Sequence, residues 1–399
     1  MTRWTGRADP AGADAAWFDH LDSPAPAVFD LSESTTPDLD FGALLDAIGG
    51  APALRGIGLG YGPTAGSPAL REAIARSCGV PAETVLTTQG TMLGLALLAA
   101  ELCRAGGDAL LVTPCFAPMR SVMARGGATV RTIPLRFEAG YRLDAARIAE
   151  ALRPNTRLVA LATPQNPSGV RVPPAVQRAI LDAMAARAPD ALLLLDETYR
   201  EATYGEPSPP SGAGLDPRVL TLGSLSKAHG VPGLRIGRLT VPDAGLRARL
   251  AAAKLETVIA GSALDEAIAA RLLARGEAAL APRRRHLARA LHAVAAWREA
   301  EARRLDWIRP EAGALCCCRL RGGLAAPEAV ARFWAALPCH GVRLAPGRWF
   351  GEADSLFRVG FGHLSPADLA PALRAVSRAL DEAGNHHALT GGPVKGILS

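Results

Sequence analysis

Short, almost uninterrupted apolar segments alternate with helical segments through the middle of this chain. The predicted strands cover residues 84–87, 109–113, 129–135, 158–163, 191–195, 219–222 and 234–240. The helices predicted between them cover residues 91–104, 119–125, 145–152 and 175–187. Strands that are apolar along their whole length are typical of sheets covered on both faces, and their alternation with helices is typical of parallel strands. The sequence therefore predicts an α/β fold built on a mostly parallel sheet.

Polar or aromatic residues follow five of these predicted strands. They are Gly90, residues 114–116, Asn166, Asp196 and Lys227. In a parallel α/β sheet, ligands bind beyond the carboxyl ends of the strands. We therefore expect these five positions to converge on one site.

Lys227 lies in a loop between two predicted strands, residues 219–222 and 234–240. Three glycines between residues 223 and 233 permit tight turns and a close approach of the backbone to a ligand. A lysine in such a loop is suited to bond an aldehyde. The motif alone also leaves open an ordinary solvated lysine.

Beyond residue 240 the pattern changes to two long helical stretches, residues 244–275 and 283–301, and then to a mixture of strands and helices. A chain of 399 residues exceeds one ordinary domain. We predict an irregular N-terminal arm with a substrate loop at 1–48, a large domain at 49–284, a smaller α+β domain at 285–385, and a tail at 386–399 that is mobile or covers a neighbouring subunit.

The charge pattern does not indicate nucleic acid. The net charge is +6, but basic and acidic residues are interleaved and the densest basic run, residues 283–285, is too short for a binding footprint. The N-terminus lacks the apolar segment of a signal peptide, and no stretch is apolar enough to span a membrane. We expect a cytoplasmic protein with no membrane partner.

The seven cysteines form no Cys-x-x-Cys pair. The adjacent residues 316–318 cannot all face one metal ion from a strand, because successive side chains alternate between faces. We expect reduced, largely buried thiols and no metal site.

Seven sequence blocks carry a family resemblance. In chain order they are Tyr61-Gly-Pro-Thr-Ala-Gly66 with Leu70-Arg71, Gln89-Gly-Thr-Met92, Pro114-Cys-Phe116, Asn166-Pro-Ser-Gly169, Asp196-Glu-Thr-Tyr199, Ser224-x-Ser-Lys227 with Gly233-x-Arg235-x-Gly237, and Arg358-Val-Gly-Phe-Gly362. Together they resemble the class I and II aminotransferases, which are fold-type I enzymes dependent on pyridoxal 5'-phosphate. The resemblance covers residues 28–383 and implies a large domain with a seven-stranded sheet covered by helices and a smaller α+β C-terminal domain.

The resemblance assigns catalytic roles to three residues. Lys227 would be the Schiff-base lysine and the general base at the substrate Cα. Asp196 would keep the pyridine nitrogen of the cofactor protonated, so that the ring serves as an electron sink. Tyr199, together with Asn166, would hydrogen-bond the phenolic oxygen of the cofactor.

The remaining cofactor contacts follow from the same resemblance. The helix that opens at Gly90 would bind the phosphate through its first amides, since a helix N-terminus favours anions. Phe116 would stack on the ring, and Tyr61 would reach the phosphate of the partner subunit in a homodimer. The phosphate contacts implied within one chain are Gly90, Thr91, Met92, Ser224, Ser226 and Arg235.

The substrate residues are inferred less directly. Arg358 would bind the substrate carboxylate as a bidentate pair, and Asn166 would also contact the substrate. The N-terminal loop departs from the family, because residues 31–36 replace a Leu-x-x-Gly pattern. Glu33 and Ser34 in this loop are candidate substrate contacts, and an acid at Glu33 favours a basic amino acid such as arginine.

Two further positions depart from the family pattern. His229 lies where many relatives carry an aromatic residue, and it would pack near the cofactor or relay protons. Arg238 also replaces a residue that is usually aromatic.

Several activities are compatible with these residues. The first hypothesis is an aminotransferase that converts an L-α-amino acid to a 2-oxo acid. The alternative is a pyridoxal-phosphate oxidase, hydroxylase or cyclase of arginine-like amino acids in natural-product biosynthesis, or a C–S β-lyase. A regulatory sensor is disfavoured because no DNA-binding module precedes residue 28. A dinucleotide enzyme is disfavoured because no Gly-x-Gly-x-x-Gly follows the first strand.

Overall fold

The computed structural model describes residues 27–103 and 107–385. The predicted tail at 386–399 and most of the predicted arm therefore lie outside the described residues. The strands are β1 (Phe29–Leu31), β2 (Val85–Gln89), β3 (Asp108–Thr113), β4 (Thr129–Pro134), β5 (Thr156–Ala162), β6 (Leu192–Asp196), β7 (Val219–Ser224), β8 (Ile236–Thr240), β9 (Leu305–Ile308), β10 (Leu315–Leu320), β11 (Val342–Pro346) and β12 (Leu356–Gly360).

The helices alternate with these strands in the first part of the chain and cluster in the second. They are α1 (Phe41–Ile48), α2 (Pro68–Cys78), α3 (Gly90–Leu102), α4 (Pro118–Arg125), α5 (Ala145–Ala151), α6 (Pro174–Arg187), α7 (Ala244–Val258), α8 (Ala263–Ala274), α9 (Glu277–Ala300), α10 (Pro327–Cys339) and α11 (Pro366–Gly384).

Seven strands form one large sheet in the order β2-β8-β7-β6-β5-β3-β4. Only β8 runs antiparallel to its neighbours, β2 and β7. The other neighbouring pairs are parallel. The prediction of an α/β fold with a mostly parallel sheet is confirmed.

Both faces of the large sheet are covered by helices. Leu194 and Leu222 pack in a cluster with residues of α3, α4 and α7. Leu193 and Leu195 pack on the other face with α5 and α6. Because successive strand residues point to opposite faces, a strand covered on both sides is apolar throughout.

Close packing brings α3 against the sheet at Gly94. A Cβ atom at Gly94 would lie 2.9 Å from Leu222 Cδ2 and 3.1 Å from Leu239 Cγ. A larger residue would push the helix away from β7 and β8. The position of the helix N-terminus relative to the ends of these strands is therefore fixed by direct contact.

The second sheet has the order β1-β11-β12-β10-β9. Strand β1 pairs in parallel with β11, and the other pairs are antiparallel. Helices α9, α10 and α11 cover one face through a cluster that includes Phe333 and Phe357. Residues Cys316 and Cys318 point into this cluster, whereas Cys317 points to the opposite face.

All seven cysteines are free thiols, and only Cys339 is exposed. No helix in the described ranges has the length and the apolar character needed to cross a membrane.

Three predictions about local structure are wrong. Residues 27–48 are not irregular, because β1 joins the second sheet and residues 41–48 form α1. Asp40 caps this helix, since its side chain accepts a hydrogen bond from the Ala43 amide at 2.8 Å. The predicted helix over 244–275 is two helices, separated where Ile259 has a φ of 63° and Ser262 caps α8. Helix α9 begins at Glu277 rather than at residue 283.

The proposed boundary between residues 284 and 285 falls inside α9. Strand β9 was not predicted from the sequence. Its alternating pattern covers only four residues, which is too short for a periodic signal.

Candidate active site

Lys227 lies in the loop between β7 and β8, as the sequence predicts. Its backbone carbonyl accepts hydrogen bonds from the Thr36 amide at 3.1 Å and the Thr36 hydroxyl at 2.9 Å. Its Nζ atom donates to Ser34 Oγ at 3.4 Å and lies 6.0 Å from the ring centroid of Tyr199. The N-terminal loop therefore holds both ends of this lysine.

Tyr199 lies three residues beyond Asp196, at the carboxyl end of β6. Its side chain is 5% exposed. The phenol oxygen lies 2.8 Å from Ser34 Oγ, so that Ser34 contacts both Tyr199 and Lys227. This contact brings a predicted substrate residue together with two predicted catalytic residues.

Asp196 is held in one orientation by its own turn. The amide and the hydroxyl of Thr198 both donate to Asp196 Oδ1, at 3.0 and 2.5 Å. Burial raises the pKa of Asp196, against the opposing effects of Thr198, Arg238 and Lys227. Both hydrogen bonds that the Asp196 side chain receives from described residues end on Oδ1, which leaves Oδ2 for a ligand.

The N-terminus of α3 packs against the loop that precedes β8. The Gly90 amide donates to the Arg235 carbonyl at 2.8 Å. A Cβ atom at Gly90 would lie 2.4 Å from Arg235 Nη2, and one at Gly237 would lie 2.4 Å from the Gly90 carbonyl carbon. Gly90 therefore lets the Arg235 guanidinium reach the beginning of the helix, and Gly237 lets β8 pass close to the helix backbone.

Two serines lie beside this helix end. Ser224 Oγ bonds to Ser226 Oγ at 2.8 Å and accepts from the Ser226 amide at 3.0 Å. Ser224 is the last residue of β7, and only β8 lies between β7 and β2 in the sheet. No side chain caps α3 within the described residues, so the amides of Thr91 and Met92 face outward without an internal acceptor.

Arg358 reaches the site from the second sheet. Its neighbours Phe357 and Val359 face the helical cluster, so that Arg358 points to the opposite face. Nη1 donates to Asn166 Oδ1 at 2.8 Å, and Nη2 donates to the Ser32 carbonyl.

The guanidinium of Arg358 is 7% exposed, and its Cζ atom lies 5.0 Å from the ring centroid of Phe350. Its Nε atom is buried and has no hydrogen-bond partner in the part of the chain that is described. Burial lowers the pKa of Arg358, while Tyr199, Glu33 and Asp30 oppose this effect. The two described hydrogen bonds use two of the five N–H donors of the guanidinium, and an anionic ligand would accept from the others.

The loop after β3 is tied to the loop after β5. Gln165 Nε2 donates to the Pro114 carbonyl at 3.1 Å. Phe116 is two residues beyond Pro114 in the chain, so it belongs to the loop that this hydrogen bond holds. Phe116 is partly exposed. Asn166, the next residue after Gln165, bonds to Arg358, so that the two loops and the second sheet meet here.

The remaining candidates differ in position. Glu33 is partly exposed, and its backbone carbonyl packs against Gly360, where a Cβ atom would lie 1.8 Å away. Tyr61 is 87% exposed and is not hydrogen-bonded to any described residue of this chain.

Sequence reasoning missed four contacts at this site. The Asp-x-Thr spacing of Asp196 and Thr198 is a turn signal that could have been used. The Ser32 carbonyl and the Thr36 side chain carry no such signal, because their partners are more than 190 residues away. Phe350 reads as an ordinary core residue in the sequence.

The comparisons with known proteins agree along most of the chain. A family model described as aminotransferase class I and II matches residues 30–376. The chain is 33% identical over 370 residues to a capreomycidine synthase from Streptomyces vinaceus, which covers 90% of each chain. It is 35% identical over 192 residues to the arginine–pyruvate transaminase AruH from Pseudomonas aeruginosa, which covers 46% of this chain and 48% of that protein.

Solved structures give the same result. The pyridoxal-phosphate-dependent cyclase OrfR superposes with a TM-score of 0.83 and 26% identity over 96% of this chain and 100% of that chain. A pyridoxal-phosphate-dependent aminotransferase from Streptococcus suis superposes with a TM-score of 0.84 over 94% of this chain and 99% of that chain, at 24% identity. At 24% identity, the similarity to the Streptococcus suis protein shows only that the two folds are alike.

Proposed function

This chain belongs to the class I and II aminotransferases and is a pyridoxal-phosphate-dependent enzyme, and we propose that it transaminates an L-α-amino acid to the 2-oxo acid. The family match confirms the predicted family, enzyme class and cofactor. The substrate and the outcome of the reaction are the proposal.

The residues at the strand ends fit the cofactor. Because Gly90 has no Cβ atom, the Arg235 guanidinium lies against the first residue of α3, and because Gly237 has none, β8 passes close to the same backbone. A helix N-terminus with a nearby guanidinium suits a phosphate. Asp196 offers an unused carboxylate oxygen, which suits a protonated ring nitrogen.

We assign the cofactor contacts accordingly. Lys227 would hold the cofactor covalently, Asp196 would pair with the ring nitrogen, and Tyr199 would bond to the phenolic oxygen. The amides of Thr91 and Met92, with Ser224, Ser226 and Arg235, would hold the phosphate, and Phe116 would cover the ring. When bound, pyridoxal phosphate supplies an electron sink for the charge left at the substrate Cα.

Lys227 would remove the proton from the substrate Cα. Its Nζ atom is placed by Ser34 and Tyr199, so that the amine would be held beside the reacting carbon. Holding a base in this way replaces an encounter in solution and lowers the entropic cost of proton transfer. The same amine, once it carries this proton, would serve as the general acid that returns it.

The observation that carries the proposal is the set of unused donors of Arg358. This buried guanidinium has five N–H groups, its described hydrogen bonds use two of them, and leaving buried donors unpaired is costly. A substrate carboxylate would accept hydrogen bonds from the others. Because Arg358 bonds Asn166, and Asn166 follows the strand next to β6, this carboxylate would lie on the same side of the site as Lys227.

We also propose a cytoplasmic homodimer. None of the cysteines forms a disulfide, which fits a reducing compartment. Tyr61 and Leu59 are 87% and 81% exposed, which fits a surface that a second subunit covers. In the dimer, Tyr61 would contact the cofactor phosphate of the partner subunit.

A second candidate function is the cyclisation of an arginine-like amino acid. It is supported by the capreomycidine synthase and by the cyclase OrfR, each of which matches at least 90% of this chain. The arginine–pyruvate transaminase supports an arginine-like substrate for either reaction. Glu33, in the loop that contacts Arg358, provides a carboxylate suited to a guanidinium.

One experiment separates these candidates. The purified holoenzyme is offered a panel of L-α-amino acids, including arginine and its side-chain-hydroxylated derivatives, with and without a 2-oxo acid. Turnover that requires the oxo acid supports transamination. Turnover without an oxo acid supports cyclisation if the product has the composition of the substrate minus one water molecule. Release of ammonia without oxygen uptake indicates a lyase.

A further inference from the structure

Arg238 is a buried cation in the interior of the large sheet. It lies on β8, where it pairs with Thr87 on one side and Gly223 on the other. Only 3% of it is exposed. Arginine is almost never buried in this way unless it is paired, because desolvating the charge is costly.

Gly223 gives the side chain a path across β7. A Cβ atom at Gly223 would lie 2.4 Å from Arg238 Cζ and 2.5 Å from its Nη1. Any other residue at this position would occupy the volume of the guanidinium. The side chain therefore crosses β7 and reaches the carboxyl end of β6, where Nη2 lies 4.0 Å from Glu197 Oε2.

Glu197 is the residue that follows Asp196, and it belongs to a buried cluster of charges. Arg200 lies 3.3 Å from Glu197 and 3.2 Å from Glu201, and His229 Nδ1 lies 3.7 Å from Glu201 Oε2. Arg283 and Arg284 are the further cations that act on His229. Burial lowers the pKa of His229, so that it is neutral at neutral pH.

The two carboxylates of the cluster have hydrogen bonds that do not involve Arg238. Glu197 accepts from the Ser211 hydroxyl at 2.7 Å and the Gly212 amide at 2.6 Å. Glu201 accepts from the Ser77 hydroxyl at 2.5 Å. Arg238 itself has two nitrogens, Nε and Nη2, that lack a hydrogen-bond partner among the described residues.

Arg238 therefore acts on this region mainly through its positive charge and less through hydrogen bonds. With His229 neutral, Arg200 and Arg238 are the cations that face the carboxylates of Glu197 and Glu201. Arg284 is paired with Glu277. Removal of Arg238 would take one positive charge from this region and leave Glu197, the residue next to Asp196 in the chain, with Arg200 as its remaining cation. A like charge in a buried region disfavours ionisation of a carboxyl group.

We propose that Arg238 is a positioning residue that acts through Asp196, keeping this carboxylate ionised where it meets the ring nitrogen of pyridoxal phosphate. The inference rests on the proposed function of Asp196. It agrees with the influences on the pKa of Asp196. Burial raises this pKa, and the positive charges of Arg238 and Lys227 lower it. It also explains why a cation occupies the position after Gly237.

The test compares two ligands that differ only at the ring nitrogen. Pyridoxal phosphate and its 1-deaza analogue, which has a carbon at that position, are titrated into the wild-type apoenzyme and into Arg238→Gln, Arg238→Lys and Glu201→Gln. The ratio of the two dissociation constants is measured between pH 5 and 9. A substitution that disturbs the phosphate contacts or Lys227 changes both dissociation constants alike and leaves their ratio unaltered.

The wild-type protein should prefer pyridoxal phosphate, with a preference that is lost at low pH as Asp196 is protonated. In Arg238→Gln the midpoint of this loss should move to higher pH by about one unit, which is a tenfold loss of preference at an intermediate pH. Arg238→Lys should restore the wild-type midpoint in large part. Glu201→Gln removes a negative charge and should move the midpoint to lower pH.

The outcomes are separable. If the wild-type protein shows no preference for the ring nitrogen, the assigned role of Asp196 fails. If it shows the preference but Arg238→Gln keeps the same midpoint, the inference about Arg238 is wrong. Should Arg238→Gln not fold, an unchanged midpoint in Glu201→Gln overturns the inference and a shift to lower pH supports it.

Discussion

The Ser34 hydroxyl lies 2.8 Å from the phenol oxygen of Tyr199, although 165 positions separate the two residues. This contact ties the N-terminal loop to the carboxyl end of the central strand β6. The same hydroxyl accepts a hydrogen bond from Lys227 at 3.4 Å. A serine in a loop that departs from the family pattern thus links the two residues that would act on cofactor and substrate.

Replacing Ser34 should weaken catalysis without removing the cofactor. Ser34→Ala leaves the Tyr199 phenol with one partner fewer, which typically costs about 1 kcal/mol or five- to tenfold in rate. We expect kcat/KM to fall by this amount and the visible absorbance of the loaded protein to titrate at a different pH. Ser32→Ala is the matched control, because its hydroxyl bonds to Asp30 in the same loop. Equal effects of both substitutions would assign the loss to the loop rather than to this contact.

Lys227 should be the single site of covalent cofactor attachment. The sequence has only two other lysines, Lys254 and Lys395, which makes the assignment easy to test. Treatment of the loaded protein with borohydride should fix the cofactor to a peptide that contains Lys227, as detected by mass spectrometry. Lys227→Ala should abolish both the modification and turnover. Modification of Lys254, whose Nζ atom bonds to the Thr64 carbonyl at 2.6 Å, would contradict the assignment.

Removal of the Arg358 guanidinium should act mainly on binding of the substrate carboxylate. Hydrogen bonds to charged groups contribute about 1.5–3 kcal/mol, so Arg358→Ala should lower kcat/KM by roughly ten- to 150-fold. Arg358→Lys should recover part of the loss, because a single ammonium cannot form the bidentate pair. The decisive comparison uses the amide of the same amino acid, for which wild-type and variant proteins should differ little. A large loss with the amide as well would indicate a structural role.

Glu33 should determine the preference for a basic side chain. In Glu33→Gln, kcat/KM for arginine should fall by about tenfold, the effect of one charge-assisted hydrogen bond, whereas the value for norleucine should change little. Glu33→Asp is the matched control because it retains the charge. If the ratio of the two kcat/KM values is the same in Glu33→Gln and in the wild-type protein, Glu33 does not select the substrate.

Protonation of His229 should destabilise the fold in mild acid. Burial lowers the pKa of His229 below its ordinary value of 6.5, so the unfolded chain takes up this proton at a higher pH than the folded protein does. The stability that depends on neutral His229 is therefore complete above pH 6.5 and falls as the pH decreases below that value. Urea unfolding at a series of pH values should show a smaller slope in His229→Gln than in the wild-type protein. His340→Gln, at the protein surface, should retain the slope that His229 causes.

The sequence by itself determined the strands and helices of the large sheet and the kind of site they form. The apolar segments around Leu194 and Leu222 predict covered strands. When helices cover both faces of a sheet, the residues that point to either face are apolar. The order of the strands along the chain placed Asp196 and Lys227 at carboxyl ends, and the seven ordered blocks identified the family. These signals are local, since each is carried by residues close together in the chain.

Only the tertiary structure decided which distant residues contact each other. It placed Ser34 between Tyr199 and Lys227, it gave Arg358 the Ser32 carbonyl and Asn166 as partners, and it led the Arg238 side chain across Gly223 to Glu197. No periodicity records such contacts, because they depend on how two sheets and a loop pack together. Burial then sets their energies, since a charge or a hydrogen bond removed from water acts more strongly than the same group at the surface.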